Sequence, residues 1–339
     1  MAVPPAGPGK LNRRLQLVRL LADGREHSGE ALAAALDVSR AAVWKQVRQL
    51  SAWGLEVEAA AGRGYRLAAP LDLLDERVML ATLPGRARDR LRRLTLADEL
   101  ASTNETLLAV TDLAPGSADV CLAEFQSAGR GRRGRQWLAP FGSGICLSVS
   151  WCFAEAPPQL SALSLAAGVA VRRALAGLGI GGIELKWPND ILWRGRKLGG
   201  ILCELRIEAA GPAYVVIGVG LNLRLPAAVR AAIRETGLEV ASLDEMADSG
   251  PPARSALAVA LVNQLLLSLE EFELAGFRPF FDEWSAADAL AGRAARVEHG
   301  ATISEGIARG IDLDGALLLE VGGRIERFVS GEASLRPIA

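Results

Sequence analysis

Gly129-Arg130-Gly131-Arg132-Arg133-Gly134-Arg135 sets four guanidiniums and three glycines in seven residues. A guanidinium offers a carboxylate or phosphate paired donors. Glycine lets the backbone come close to a ligand and adds N–H donors of its own. A disordered RNA-binding tract has a similar composition. This stretch, however, is short and lies between two strand-like apolar runs, residues 120–125 and 145–151, so it reads as a loop inside a fold. Trp137 and Pro140-Phe141-Gly142 follow it, and the chain contains no GxxxxGK[ST], so the loop is not a P-loop.

Downstream, Lys186-Trp187-Pro188-Asn189-Asp190 ends a short strand at 183–186 and turns it into Ile191-Leu192-Trp193. A lone lysine at a strand end is usually an ordinary surface charge. This one precedes a rigid turn and accompanies an arginine-rich loop, so a small anion between them would be clamped from both sides. The run Lys197-Leu198-Gly199-Gly200-Ile201-Leu202-Cys203-Glu204 enters a buried strand, and residues 214–222 (YVVIGVGLN) form another. Gly218 and Gly220 inside it fit close approach by a ligand or neighbour, and fit simple tight packing equally well. Upstream, residues 73–83 read as a helix ending at Pro84-Gly85, and residues 95–100 as a strand. Ser102-Thr103-Asn104 then caps a helix. The same groups can face a ligand at that helix N-terminus.

Before Pro70 the pattern is helical and short. Leu11, Leu15 and Val18 share a face. Ser28 caps a helix carrying Leu32 and Leu36, and Ser39 caps one carrying Val43, Val47 and Leu50. The outer face of the last helix presents Arg40, Trp44, Lys45 and Arg48. Such a basic face is often merely solvated. Here a glycine-tipped hairpin follows, with Ala61-Gly62-Arg63-Gly64 as its turn and Tyr65-Arg66-Leu67 as its return strand. Residues 11–69 therefore read as a winged helix-turn-helix. Ser39, Arg40, Trp44, Lys45 and Arg48 would meet double-stranded DNA, and Arg63 would meet a phosphate at the wing tip.

The bulk composition limits the chemistry. The 339 residues hold 38 basic and 39 acidic side chains, so any nucleic-acid surface is a local patch. Half the residues are apolar, enough for a substantial core in two or three domains. Cys121, Cys146, Cys152 and Cys203 form no CxxC pair, which argues against a zinc site or disulfide framework. With no secretory signal, a reducing cytoplasmic location is expected. Residues 1–10, with three prolines and two glycines, read as a disordered tail. Residues 256–267 are apolar but interrupted by Asn263 and Gln264, too short and too polar for a membrane span. His27 and His299 are the only histidines, and neither sits in a triad or HExxH context. Catalysis should rest on charge and positioning, and no protein metal site is expected.

Taken together, the Ser-Thr-Asn triplet, GRGRRGR followed by Trp, KWPND, KLxGIL and GxGxN, in that order, resemble the biotin–protein ligases. The amino-terminal SGEALAAALDVSRAAVWKQVRQL and GRGYRL resemble the winged helix of the repressor-type members of that family. The resemblance spans about residues 11–337. It implies a multidomain α/β protein: the winged helix, a class II aminoacyl-tRNA-synthetase-like α/β ligase domain at 70–287, and an SH3-like β-barrel at 288–339. Short alternating runs after Ala294, with turns at His299-Gly300, Asp314-Gly315 and Gly322-Gly323, agree with the last.

The resemblance further implies that biotin and ATP, with Mg²⁺, give biotinyl-5′-AMP. The biotin would then pass to a lysine of the biotin carboxyl carrier domain of a carboxylase. Lys186 and Arg132 would be catalytic. Ser102, Thr103, Asn104, Gln126, Arg130, Gly131, Arg132 and Lys186 would bind biotin. Arg130, Arg132, Arg133, Arg135, Lys186 and Asn222 would hold ATP and the adenylate. A segment at 225–246, with Val229, Ile233, Leu238 and Val240, would cover the adenosine. Some repressor-type relatives place a tryptophan there, and this sequence has none. The adenylate would act as corepressor, favouring a homodimer on a two-half-site operator of biotin synthesis genes. The rivals are a ligand-sensing repressor without enzymatic activity, which leaves GRGRRGR with KWPND unexplained, and a lipoate ligase, which needs no DNA-binding module.

Overall fold

The structure, a computed structural model, describes residues 13–60, 63–207, 212–246, 250–299, 302–329 and 333–338. The expected tail at 1–10, Leu11, Ala61-Gly62 of the wing turn and Gly300 lie outside the described residues. Two units divide the chain. One comprises residues up to Leu73 together with Pro140–Ser143, and the other comprises Leu74–Ala139 and the chain from Gly144 onward.

In the first unit, helices α1 (Arg13–Leu21), α2 (Gly29–Leu36) and α3 (Arg40–Gln49) precede an antiparallel hairpin of β1 (Val57–Ala60) and β2 (Gly64–Leu67). Leu15, Val18, Leu32, Leu36, Val43 and Val47 recur at helical spacing and are buried together. The Ser28 and Ser39 hydroxyls accept the Ala31 and Ala42 N–H groups at 3.0 and 3.2 Å, so both expected caps form. Asp37, at φ 52°, ends α2 in the left-handed region and starts the tight turn into α3. Gly64 is required by close approach, since a Cβ there would lie 2.0 Å from the His27 carbonyl oxygen. Phe141 completes the unit by stacking on Trp53 at 4.9 Å between ring centroids. Its N–H donates to the Trp53 carbonyl at 2.8 Å.

The second unit begins with α4 (Glu76–Thr82) and α5 (Gly85–Arg90). The single helix expected at 73–83 is thus shorter, and Pro84 opens a second helix where a terminator was expected. The reason is local. The Leu74 N–H is held by the buried Glu124 carboxylate at 2.6 Å, which keeps the chain extended until Asp75 caps α4. Pro84 lacks the N–H that a helix interior needs but suits the position before a helix.

There follow β3 (Leu91–Leu100), α6 (Thr103–Leu108), β4 (Ala118–Gln126), β5 (Gly144–Phe153), α7 (Leu163–Gly177), β6 (Ile183–Lys186), β7 (Asp190–Trp193), β8 (Arg196–Ile207), β9 (Ala213–Asn222), α8 (Ala227–Glu235), α9 (Arg254–Ala275) and α10 (Phe281–Ala286). The sheet has the order β3-β4-β5-β9-β8-β7-β6. Only the β3–β4 pair is parallel, so the sheet is mixed. Its apolar face packs on α7 and α9 through Leu147, Val149, Ile217, Val169, Leu261 and Leu265. Helix α9, at 22 residues, is longer than the apolar stretch read from sequence. It and residues Leu160–Gly177 are each long and apolar enough to cross a membrane by length and composition. Here their apolar faces line this core. At the start of α9, buried Arg254 pairs with Glu124 at 2.6 Å and donates to the Gly144 carbonyl at 2.9 Å. Removing one partner would leave the other charge buried, a loss of about 3–5 kcal/mol.

An antiparallel sheet of β10 (Ala294–His299), β11 (Thr302–Ile311), β12 (Leu317–Val321), β13 (Arg324–Phe328) and β14 (Ala333–Pro337) closes the chain, in the order β13-β12-β11-β10-β14. The turn before β12 is fixed by Asp312, whose carboxylate accepts the Asp314 and Ala316 N–H groups at 2.9 Å. Gly315 in that turn has φ 77°, and its carbonyl accepts the buried Trp187 Nε1–H at 3.1 Å. The turn therefore rests on the middle of the KWPND stretch.

Candidate active site

The arginine loop is ordered by its own backbone. Trp137 N–H donates to Gly129 O at 2.9 Å, and Gly131 N–H to Arg135 O at 2.6 Å. Arg130 lies opposite Gln136. The tip, residues 132–134, is a single 3-10 turn with Arg133 at φ 57° and Gly134 at φ 70°. This small hairpin sends its arginines in different directions. Arg132 reaches the Asn189 Oδ1 at 3.5 Å, and Arg130 reaches the Glu204 carboxylate at 3.1 Å. Arg133 turns to the Glu298 carbonyl at 3.5 Å, and Arg135 is exposed.

The KWPND turn is held on both sides. Asn189 Nδ2 donates to Ile201 O at 2.6 Å, and Ser164 donates to Pro188 O at 3.0 Å. Asp190 then meets two lysines: Lys186 Nζ at 2.7 Å and Lys197 Nζ at 2.6 Å. Burial raises the Asp190 carboxyl, but Lys197 and Lys186 together pull it below the usual carboxylate range, so it stays ionised. Burial, then the neighbouring Arg133, push the Arg132 guanidinium down. A cation that burial and a like charge both disfavour gains most from an arriving anion. Two lysines thus meet one carboxylate, and the loop's Arg132 reaches the adjoining Asn189.

Lys197 was missed as a member of this cluster. Its signal was the Arg194-Gly195 turn (φ 50° and 71°), which folds β8 back along β7 and returns the chain to Asp190. The Lys197 backbone is also paired with the 225–246 segment: its N–H donates to Glu239 O at 2.8 Å, and its carbonyl accepts from Ala241 at 2.9 Å.

The Ser102-Thr103-Asn104 triplet is buried at the start of α6. Ser102 caps the helix, accepting from Glu105 N–H at 3.5 Å. The Gln126 Oε1 accepts the Thr103 N–H at 2.8 Å. Ser148, another residue missed by sequence reading, lies 2.7 Å from the Thr103 hydroxyl and 2.6 Å from the Asn104 Oδ1. Asn104 Nδ2 donates to Leu202 O at 3.1 Å and to Glu204 at 2.8 Å. The two open readings of the β9 glycines resolve into close approach by neighbours. A Cβ on Gly218 would lie 2.2 Å from Asn104 Oδ1, and one on Gly220 would lie 2.5 Å from the Trp137 ring. Trp137 is thus brought over β9 beside the triplet.

Asn222 is buried, and its amide donates to Ala241 O at 3.0 Å, tying the end of β9 to the 225–246 segment. Of the apolar residues expected there as a cover, Val240 is buried, Val229 and Ile233 are half-buried, and Leu238 is 41% exposed. Glu245 fastens the segment by accepting from Arg196 at 2.7 Å and Arg230 at 2.6 Å. Burial alone would raise the Glu245 carboxyl. The two arginines and Ser242 bring it down to about 2.

The four cysteines are unpaired with one another. Burial pushes Cys121 and Cys203 up to about 12 and Cys146 up to about 11, so these thiols stay protonated and are poor nucleophiles. Among the described residues, no three His, Cys, Asp or Glu side chains are grouped to hold a metal ion.

In the amino-terminal unit, Arg40, Trp44, Lys45 and Arg48 lie on the exposed face of α3, behind its Ser39 cap. Arg48 lies over the Trp44 ring at 4.8 Å, and that ring is 52% exposed. Arg63 is exposed beside Glu26 at 3.8 Å.

Residues 97–222 match the biotin/lipoate A/B protein ligase family, residues 13–66 match an HTH domain, and residues 292–336 match the biotin protein ligase C terminal domain. The chain is 37% identical to the bifunctional ligase/repressor BirA of Escherichia coli, over 95% of this chain and 97% of that protein. It is 40% identical to the biotin–[acetyl-CoA-carboxylase] ligase of Mycobacterium tuberculosis, over 79% and 96% of the two chains. The biotin protein ligase of Aquifex aeolicus, solved with biotin and ATP, superposes with a TM-score of 0.58 at 24% identity, over 74% of this chain and 99% of that one, and so shares its fold. The chain belongs to the biotin protein ligase family, in its bifunctional ligase/repressor branch.

Proposed function

We propose that this chain activates biotin with ATP and transfers it to a lysine of a biotin carboxyl carrier domain, and that its winged helix represses transcription. The observation that carries the enzymatic reading is the pairing of Lys186 and Lys197 with the single carboxylate of Asp190, next to the Asn189 that Arg132 reaches. Joining a carboxylate to a triphosphate brings two anions together, so an excess of fixed positive charge is the main requirement. A biotin carboxylate oxygen attacks the α-phosphorus, the bond to the β-phosphate oxygen breaks, and pyrophosphate leaves. Lys186 and Lys197 neutralise the carboxylate and α-phosphate, and Arg132 closes over the adenylate. In the second step the carrier lysine, as a neutral amine, attacks the acyl carbon. AMP leaves, and the amine proton passes to solvent.

Thr103, Asn104 and Gln126, backed by Ser148, spend most of their hydrogens within the network, and the oxygen lone pairs that remain suit the N–H groups of a ureido ring. Trp137 and the β9 glycines supply a flat apolar wall. Ser102 and Gly131 shape the rim, and Arg130, Arg133 and Arg135 line the adenylate side. Asn222 acts at the adenosine side through the backbone it ties to Ala241. Mg²⁺ enters with ATP as part of the substrate. The site's acids, Asp190 and Glu204, are both engaged by cations, which fits a metal held mostly by phosphates.

In this reading residues 11–69 bind the operator, 70–287 carry a class II synthetase-like ligase domain, and 288–339 form an SH3-like barrel. The protein works in the cytoplasm, and the adenylate-bound form dimerises on DNA. Purified chain should catalyse biotin-dependent exchange between pyrophosphate and ATP, and should label a carrier domain added afterwards. Exchange that depends on lipoate instead, or no exchange alongside tight operator binding, would overturn it.

A further inference from the structure

Glu204 lies on the same strand as Lys197 but belongs to the other end of the site. One oxygen of its carboxylate, Oε2, accepts from Asn104 Nδ2 at 2.8 Å and from Arg130 Nη2 at 3.1 Å. These donors come from elements 100 and 74 residues away in sequence. Proton counting shows what the first bond does. Asn104 gives one amide hydrogen to Leu202 O and the other to Glu204, and its Oδ1 faces the Ser148 hydroxyl. A flipped amide would set its oxygen against the Leu202 carbonyl and the Glu204 carboxylate, with no hydrogen between them. Glu204 and the Leu202 carbonyl together therefore fix the Asn104 orientation, and Glu204 is the one of the two that a substitution can remove. Asn104 in turn orients Ser148: Oδ1 can only accept, so it draws the single Ser148 hydrogen at 2.6 Å, and the Thr103 hydroxyl, 2.7 Å from Ser148, has its own hydrogen within reach of Gln126 Oε1 at 3.1 Å. The second bond reaches the first arginine of the loop, at the base of the small hairpin that carries Arg132. Here the partners are more open, with side chains 25% and 42% exposed.

We propose that Glu204 is a positioning residue that locks the biotin-side hydrogen-bond network and anchors the arginine loop through Arg130. This rests on the assignment of Asn104 and Arg130 made above. The two bonds give Glu204 two separable effects. With Glu204→Ala, Asn104 and Arg130 both lose their acceptor. With Glu204→Gln, the amide oxygen still accepts from Asn104, while the neutral group holds the Arg130 guanidinium less strongly.

The test uses full-length chain and three readouts: biotin dissociation constant, rate of adenylate release, and unfolding midpoint. Glu204→Ala should weaken biotin binding and speed adenylate release, each about tenfold. Glu204→Gln should leave biotin affinity within about twofold and speed release about threefold to fivefold, with an unchanged midpoint. A merely structural role would move the midpoint and all constants together. A cycle with Arg130→Met separates the routes further, because Glu204→Gln should add nothing to release once Arg130 is gone. Independent, multiplying effects in that cycle would overturn the anchor. Wild-type biotin affinity in a folded Glu204→Ala would overturn the lock. If that variant does not fold, the isosteric Glu204→Gln and the cycle still decide the anchor, and Ser148→Ala, which should weaken biotin binding about threefold to tenfold, decides the network. Wild-type chain that forms no adenylate would remove the functional reading itself, a result distinct from all of these.

Discussion

Asn104 and Asp190 belong to the same proposed site, and their surroundings are opposite. Asn104 is neutral and held at three points by Leu202, Glu204 and Ser148, so little of its hydrogen-bonding capacity is left over. Asp190 is charged and outnumbered, with Lys186 and Lys197 on its two oxygens and Arg132 beside it. A rigid network that spends its donors internally suits an uncharged ring recognised by shape and by the few lone pairs left to accept from it. An unbalanced cluster suits ligands whose charge changes during reaction. If this division is correct, damage at the two ends should show up in different constants. The largest effect belongs to the charged end. Lys186→Ala and Lys197→Ala should each slow biotin-dependent pyrophosphate exchange about 100-fold or more, with a smaller change in biotin affinity. Equal losses in affinity and rate would erase the distinction between the ends. Wild-type exchange in either variant would remove that lysine from the chemistry.

Arg132→Gly comes next, because it acts after the adenylate has formed. Arg132 is the loop arginine that reaches the KWPND turn. Without it, adenylate should escape about ten to 100 times faster and acylate nearby lysines indiscriminately, since water and bystander amines gain access. Labelling of a mixed lysate, followed by mass spectrometry of modified lysines, reads this directly. Labelling confined to the carrier domain at an undiminished rate would assign retention to some other residue.

How much of this was legible beforehand follows from which contacts are local. The caps at Ser28, Ser39 and Ser102 form as read, because a cap is a contact across three residues. The strands from 183 to 222 also form as read, because alternation and turn glycines act over short range. Ser148 and Glu204 carried no local signal. Ser148 looks like any small residue inside an apolar strand, and its meaning comes from α6, more than 40 residues earlier. The helix expected at 73–83 failed for the same reason in reverse: Glu124, 50 residues downstream, claims the Leu74 N–H. Asn222 was assigned to the nucleotide by pattern, whereas its amide donates to backbone at Ala241.

The neutral end should respond to shape more than to charge. Gly220→Ala places a methyl group 2.5 Å from the Trp137 ring, which must move or tilt. Overpacking of this kind costs about 1–3 kcal/mol, and much of it should appear as roughly tenfold weaker biotin binding, since the ring is the proposed wall. Exchange at saturating biotin should change less than affinity does. If saturating biotin fails to restore exchange, Trp137 matters to the charged end as well, and the two ends are not separable.

The smallest expected effect joins the ends through the 225–246 segment, whose backbone pairs with Lys197 and whose fastening is Glu245. Glu245 is held down to about 2 from an ordinary value of 4.5, despite burial that opposes the shift. Its folded form is thus the stronger acid, and the protein prefers it ionised. The resulting stability is fully present above about pH 4.5 and is lost as pH falls toward 2. Allowing for partial solvent exposure, the contribution is about 1–2 kcal/mol. Glu245→Gln should therefore lower the unfolding midpoint slightly at neutral pH and make that difference shrink between about pH 4.5 and 2. Because Lys197 takes its backbone partners from this segment, Glu245→Gln should also slow exchange about twofold to threefold while leaving biotin affinity alone. A pH-independent stability difference would mean that Arg196 and Arg230 do not act through the Glu245 charge. A loss of biotin affinity would show that the segment reaches Asn104 and its saturated network as well as Lys197.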